Sequence, residues 1–295
     1  MILVVGATGA LGGIVARTLL TAGQPVRVLV RTGSQYSELV AAGARPVVGD
    51  LKDPVSLIAA CAGVTTVVTT ANSTGRGGAD TIDSVDRLGN RALVDAAYRA
   101  GVEHFVFVSA LGASADGPVD FMRAKAETES HIRASGMSYT ILQPDAFMEV
   151  WFGMLIGMPL QQGRPIVLIE PARARHSFLS IQDVAAFTAA AAAKPEGRNQ
   201  IVPVGGPSVM SWRDVVAVAG DVLEQQLAVE YVPAGTPLPG LPDIVSQLAA
   251  SFETHESVLQ MDATAVSFGV RLTSAADCLR RMLRPGPGTE PRIEV

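Results

Sequence analysis

The chain has 295 residues, 48% of them hydrophobic and only 17% charged, with a formal net charge of -5. That balance excludes long disorder as the dominant state, and the lack of a basic excess argues against a nucleic-acid partner. Cys61 and Cys278 stand far apart, without a metal or disulfide spacing, which predicts free, buried thiols in a reducing compartment.

The first stretch, Ile2–Val5, is a short apolar, β-branched run that reads as a buried parallel strand. From Leu11 the period changes: Leu11, Ile14, Val15, Thr18, Leu19 and Ala22 share one helical stripe that stops at Gly23. Between strand and helix lie Gly6, Gly9 and Gly12, in a G-x-x-G-x-x-G spacing. A glycine turn joining a strand to a helix N-terminus cradles a pyrophosphate: one glycine turns the chain, one admits phosphate oxygens, one lets helix and strand close up. Gly6, Thr8, Gly9, Ala10, Leu11 and Gly12 are therefore candidate cofactor-binding residues. A plain βα turn is the alternative. No Gly-Lys-Ser/Thr follows, so this is not a Walker loop.

Further strands are predicted at Val26–Val30, 46–48, 64–70, His104–Val108 and 138–142. Helices or amphipathic stretches fall between them at 36–42, 55–62, 83–100 and 119–134, with a Gly-rich loop at 73–80. This alternation predicts an α/β fold, a doubly wound parallel (Rossmann) sheet with a smaller C-terminal substrate-side elaboration. Beyond Pro144 the pattern loosens. Residues 146–160 are rich in Met and aromatics; Ile166–Ile169 and Gln200–Val204 read as strands, and Ile181–Ala193 as a helix. A further helix at 211–222 opens on Ser211 with Asp214 three residues on, close to a capping box. A Pro/Gly linker at 233–242 leads to a helix near 244–259. The expected domains are 1–144, rejoined by 178–204; a subdomain of 145–177 and 205–284; and a flexible tail at 285–295. Met1 runs into the first strand without a basic n-region and no apolar run is long enough to span a bilayer, which predicts a cytoplasmic protein with no membrane partner.

The second strand ends on Arg31, with no carboxylate before Glu38. A carboxylate there would bond the ribose 2′-hydroxyl of NAD, whereas an arginine accommodates a 2′-phosphate, so Arg31 predicts NADP(H) unless it is simply a surface residue. Asp50 and Leu51 follow the third strand; they would meet the adenine amino group and ring, or Asp50 forms a turn. Ala71 and Asn72 close the fourth strand at the same edge. His104, His131, His176 and His255 have no second ligand at metal spacing, so no metal is expected. His176 either reaches the cleft or is structural.

With Phe107-Val108-Ser109-Ala110, Lys125 and Tyr139-Thr140-Ile141-Leu142-Gln143-Pro144 added to these motifs, the chain resembles the NmrA-like branch of the atypical short-chain dehydrogenases/reductases. That branch includes triphenylmethane reductases, NADPH-dependent quinone reductases and NADP-sensing regulators. The resemblance is close over about residues 1 to 195 and loose thereafter. It implies that Lys125 bonds the nicotinamide ribose and that Gln143 and Pro144 lie beside the nicotinamide; Ser109 is a cofactor-binding candidate that equally well finishes its strand by hydrogen bonding.

The chain departs from the wider superfamily at one place. Active dehydrogenases there carry Tyr-x-x-x-Lys, whose lysine lowers the tyrosine pKa for proton exchange. Here the run is Phe121-Met122-Arg123-Ala124-Lys125, and neither Tyr36, Tyr98, Tyr139 nor Tyr231 has a lysine four residues on. Alcohol dehydrogenation by the usual tyrosine is excluded, and a sugar-nucleotide epimerase, which needs the same tyrosine, is a distant third reading. Hydride transfer to quinones or delocalised cations remains, with Lys125 as the catalytic candidate; for carbonyl or imine reduction Lys125, Ser109, Asp145 or water would give the proton. Phe147, Met148, Trp151 and Phe152, continuing through Met154, Leu155, Ile156 and Met158, either wall a pocket for a small apolar molecule or form core or a subunit contact. Asp145 and Glu149 fall one turn apart, as a pair facing that pocket or, preferably, as solvated helix-end charges. The two functional expectations are an NADPH-dependent reductase of an aromatic or quinone-like acceptor, and a non-catalytic NADP(H) sensor acting through a protein partner. A homo-oligomer is compatible with either.

Overall fold

The computed structural model describes residues 1–74, 76–194 and 198–283; the expected tail lies outside them. Two compact units emerge. The first comprises Met1–Pro144, Val184–Pro203 and Phe268–Val270; the second comprises Asp145–Asp183, Val204–Ser267 and residues from Arg271 onward. The chain re-enters the first unit at Val184, not at 178.

In the first unit the strands are β1 (Ile2–Val5), β2 (Val26–Val30), β3 (Arg45–Val48), β4 (Thr66–Thr69), β5 (His104–Val108) and β6 (Ser138–Pro144). They alternate with helices α1 (Ala10–Thr21), α2 (Ser37–Ala41), α3 (Pro54–Cys61), α4 (Leu88–Arg99) and α5 (Asp120–Ala134). The sheet order is β3-β2-β1-β4-β5-β6, all in parallel register, with a seventh strand beside β6. This is the doubly wound order, whose switch point falls between β1 and β4. β3 is the outermost strand, and Arg45, Pro46 and Val48 are exposed on it.

Alternation along the strands builds two apolar layers. Leu3, Val5, Val67, Phe105, Phe107 and Ile141 pack towards α3, α4 and α5. Ile2, Val4, Val28, Val30, Val68 and Val106 face α1 on the other side. Both faces are covered, so the strands read as unbroken hydrophobic runs. Asp53 caps α3, accepting from Val55 N at 3.1 Å, with Pro54 in the first turn. The helix expected from 83 begins instead as a π turn, Ile82–Arg87, capped by a reciprocal Thr81–Ser84 pair.

The second unit opens with α6 (Met148–Phe152), a π turn (Gly153–Gly157) and α7 (Met158–Gln161). β7 (Ile166–Ile169) follows, then α8 (Ile181–Ala193), which crosses into the first unit, where β8 (Gln200–Val204) is the seventh sheet strand. Next come α9 (Trp212–Leu223), β9 (Val229–Val232), α10 (Asp243–Ser251), α11 (Asp262–Phe268) and α12 (Ala275–Leu283). β7 and β9 form a separate two-stranded parallel sheet. Ser211 and Asp214 form a full capping box at α9. The helix expected over 244–259 stops at Ser251, passes through a 3-10 turn (Phe252–Thr254), and gives way to extended chain in which Ser257 bridges to His176. Backbone pairing with a distant segment overrides helical periodicity there.

His104, at the start of β5, is fully buried with Nε2 3.0 Å from Thr140 Oγ1. Burial lowers its pKa from 6.5 to about 4, helped by the Arg198 charge. Between those values the unfolded chain holds a proton that the folded chain lacks, so stability declines as pH falls through about 6.5 and the loss levels off near 4. Urea titrations at neutral and acidic pH should show this loss, at most about 3 kcal/mol, and His104→Gln should abolish its share.

Candidate functional site

The predicted site residues of the first unit gather at one edge of its sheet. Gly6 follows β1, Arg31 follows β2, Asp50 stands two residues past β3, Ala71 two past β4, Ser109 follows β5, and Gln143 is the last residue but one of β6. Ligands of open α/β sheets collect at this carboxyl edge.

Gly6 has a φ of +87°, and a Cβ there would lie 2.7 Å from Thr70 Oγ1. At Gly12 a Cβ would fall 2.2 Å from Gly6 O. These two positions require glycine because α1 presses directly onto the strand ends. Gly9 differs: its φ of -88° suits any residue, and its Cβ would meet only Gly6 O at 3.4 Å. It is the N-cap of α1 and supplies no side-chain acceptor to the first-turn N–H groups. Thr8, Gly9 and Ala10 are exposed and Leu11 is half-buried. An open turn with uncapped N–H groups at the positive end of a helix fits a pyrophosphate.

Beside the cradle, three cations converge on one carboxylate. Arg31 Nη1 lies 2.6 Å from Asp80 Oδ2, Lys52 Nζ pairs with Asp80 Oδ1, and Arg76 Nη1 stands 3.7 Å from Asp80 Oδ2. Hydrogen bonding from Lys52 and then Arg31 holds the Asp80 carboxyl below the usual carboxylate range. Asp50 Oδ1 accepts from Lys52 N at 2.8 Å, so it forms a turn. Leu51 is buried among the core residues of that face and has little surface to offer an adenine ring.

Buried polar residues fix the strand ends. Asn90 accepts from Thr69 Oγ1 at 3.1 Å and donates to Ala71 O. Asp86, inside the π turn, accepts from Ser73 N at 3.0 Å and Ser73 Oγ at 2.6 Å. These bonds set the course of Ala71 and Asn72. Glu129, on α5, accepts from Ser109 Oγ and from Gln143 Nε2, the latter at 2.9 Å, tying β5 to β6. Pro144 is buried beside them.

Lys125 is buried, and its Nζ donates to Val108 O at 3.1 Å. The ammonium stands 4.8 Å from the Phe107 ring centroid and 5.2 Å from that of Phe121. The residue in the usual tyrosine position thus faces the lysine, one helical turn away, with a ring and no hydroxyl. Burial lowers the lysine pKa, opposed by the Asp86 and Glu129 carboxylates.

In the second unit, Met148 and Phe152 are core residues, with Phe152 edge-on to Phe178 and Trp212. Met154, Leu155 and Ile156 are buried as well. Phe147 and Trp151 keep accessible surface, so the expected apolar wall shrinks to these two and the half-buried Met158. Asp145 and Glu149 are not solvated helix-end charges. Asp145 Oδ2 accepts from Ser177 N at 2.8 Å and Ser257 Oγ at 2.5 Å; Glu149 accepts from Ser180 Oγ at 2.5 Å and Ile181 N at 2.9 Å. His176 is fully buried, with Nε2 2.8 Å from Phe252 O and Nδ1 2.8 Å from Ser257 Oγ, and is structural. Among the described residues no group of three or more His, Cys, Asp or Glu could hold a metal ion, and no helix is long and apolar enough to cross a membrane.

The model of the NmrA-like family matches residues 1–275. The chain belongs to the NmrA-like family. Its relatives include an NAD(P)H azoreductase of Xenophilus azovorans, 35% identical over 74% of this chain and 72% of that protein. Another is the photosystem II assembly factor Ycf39 of Cyanophora paradoxa, 32% identical over 79% of this chain and 71% of that one. The fold is that of the Escherichia coli NADPH-dependent quinone oxidoreductase solved with NADPH, with a TM-score of 0.81 at 23% identity over 96% of this chain and 100% of that one. Within this NmrA-like chain, Asp86, Asn90 and Glu129 are the site-supporting residues that motif reading missed. The available signal was a set of polar side chains on otherwise apolar helix faces.

The glycines separate into two experiments. Gly12→Ala should lower stability by about 1–3 kcal/mol in urea titrations, because backbone must move. Gly9→Ser leaves the fold intact, since serine also caps helices, yet should weaken nucleotide binding by crowding the phosphates.

Proposed function

We propose that this protein is an NADPH-dependent reductase that passes hydride to a small, flat, conjugated acceptor, quinone-like or aromatic, without a tyrosine acid. The observation that carries the reading is the open glycine cradle with Arg31 at the end of the neighbouring strand: one binds a pyrophosphate, the other a 2′-phosphate. Kinship with an azoreductase supports a conjugated acceptor.

The nicotinamide, when bound, supplies the hydride. The chain's own residues bind and orient. The cradle fixes the pyrophosphate, and Arg31 discriminates at the adenosine ribose. Lys125 stands at the end of β5 for the second ribose, while Glu129 holds Ser109 and Gln143 in place beside it. Phe121 gives no proton. That favours acceptors whose reduced form takes its proton from water after the hydride arrives, as quinones do.

A second reading has its own support. The missing hydroxyl at Phe121 and kinship with photosystem II assembly factors suit an NADP(H)-binding regulator acting through a protein partner. Mixing the protein with NADPH and a panel of quinones and azo dyes separates the two. Acceptor-dependent loss of NADPH absorbance is expected; no turnover, with a large affinity difference between NADPH and NADP, establishes the regulator instead. Arg31→Ala should weaken NADPH binding about 10- to 100-fold and leave NADH binding nearly unchanged, since charged hydrogen bonds to a phosphate are lost only in the first case. Equal losses would refute the cofactor assignment.

A further inference from the structure

We propose that Lys52 and Arg76 join Arg31 in a 2′-phosphate subsite, and that Asp80 occupies this subsite as a resident anion which the phosphate displaces. The proposal rests on the reading of the glycine cradle as a nucleotide site.

Arg31 closes β2, Lys52 follows β3, and Arg76 comes from the loop after β4, so three separate segments direct positive charge to one point. The point is occupied by Asp80, whose side chain is 8% exposed, while those of Arg31, Lys52 and Arg76 are 44%, 31% and 28% exposed. The cations thus cover the carboxylate and keep outward faces of their own. Of the other charged groups here, Asp50 Oδ2 lies 3.7 Å from Lys52 Nζ. Three cations against two carboxylates leave the cluster one positive charge in excess. A phosphate with nearly two negative charges satisfies such a cluster better than one carboxylate does, and guanidinium N–H groups donate to either anion.

Asp80 is also placed to leave. Gly77 and Gly78, just before it, both have positive φ, at +70° and +62°. Immediately after it, the Thr81–Ser84 capping box anchors the chain. Asp80 N donates to Gly77 O at 3.2 Å and Ser84 Oγ to Ala79 O at 2.9 Å, so the carboxylate leaves either by rotation of the Asp80 side chain or by opening of this short turn. A ribose bearing a 2′-hydroxyl has no charge to offer in exchange, so the resident carboxylate stays and the cluster gives no advantage to the unphosphorylated cofactor. Selectivity then comes from an exchange of anions.

The experiment is calorimetric titration of the full chain with adenosine 2′,5′-bisphosphate and with ADP. Lys52→Gln should weaken the bisphosphate about fivefold and leave ADP unchanged, in keeping with the modest worth of a partly exposed ion pair. Asp80→Asn should strengthen the bisphosphate by a similar factor, again without effect on ADP, because the competitor is gone. Asp80→Asn weakening the bisphosphate or leaving it unchanged would overturn the exchange, showing that Asp80 merely arranges the cations. Equal binding of both ligands by the wild type would overturn the subsite while the cradle stands. Failure of ADP to bind at all would sink the nucleotide reading and this proposal with it. Thermal melts of both variants guard against a folding defect.

Discussion

The contact on which the first unit depends is the approach of α1 to the strand ends at Gly6 and Gly12. A Cβ at Gly12 would lie 2.2 Å from Gly6 O, which leaves no space for any side chain. Two consequences come from that single closeness. The helix axis meets the sheet edge at its N-terminus, and the next turn of chain, at Thr8 and Gly9, is left uncovered. Close packing and the open cradle thus share a cause, although they separate at the level of single residues: Gly12 serves the packing and Gly9 lies in the uncovered turn.

Around that corner, the remaining parts are held by buried polar groups. Asn90 and Glu129 take hydrogen bonds from residues at strand ends, Asp86 takes them from Ser73 in the loop after β4, and each of the three is nearly inaccessible. Buried acceptors without such donors would be costly, so the strand ends are fixed in register with the helices behind them. Lys125 belongs to the same system. It touches Val108 O and two aromatic rings; a phenol at position 121 would have been its usual neighbour. The lysine is kept where its customary proton partner has been replaced by hydrocarbon, and burial lowers its pKa.

The sequence made much of this legible, and where it did not the reason is physical. Strand–turn–helix alternation through residue 144 is local and strongly periodic, so β1 to β6 and their helices could be placed from pattern alone. The π turn at Ile82–Arg87 could not, because Asp86 inside it is held by Ser73 in the loop after β4. The true end of α10 was equally hidden, since Ser257 is claimed by His176, 81 residues away. Asp145 and Glu149 looked like free charges because their donors, at 177, 180, 181 and 257, lie far off in sequence. Residues of the aromatic stretch followed two rules at once: Met148 and Phe152 obeyed burial, whereas Phe147 and Trp151 stayed partly open.

β3, the outer strand, carries a further implication. Gly49 N bonds inward to Val30 O at 3.0 Å, and the two-residue period then turns the amide groups of Val47 and Arg45 inward as well. Position 46 therefore faces the open flank, and there the residue is proline, which has no hydrogen to donate. With a charged arginine alongside, this flank is poorly suited to template another chain. Growth of the sheet from one molecule into the next is therefore disfavoured at this rim.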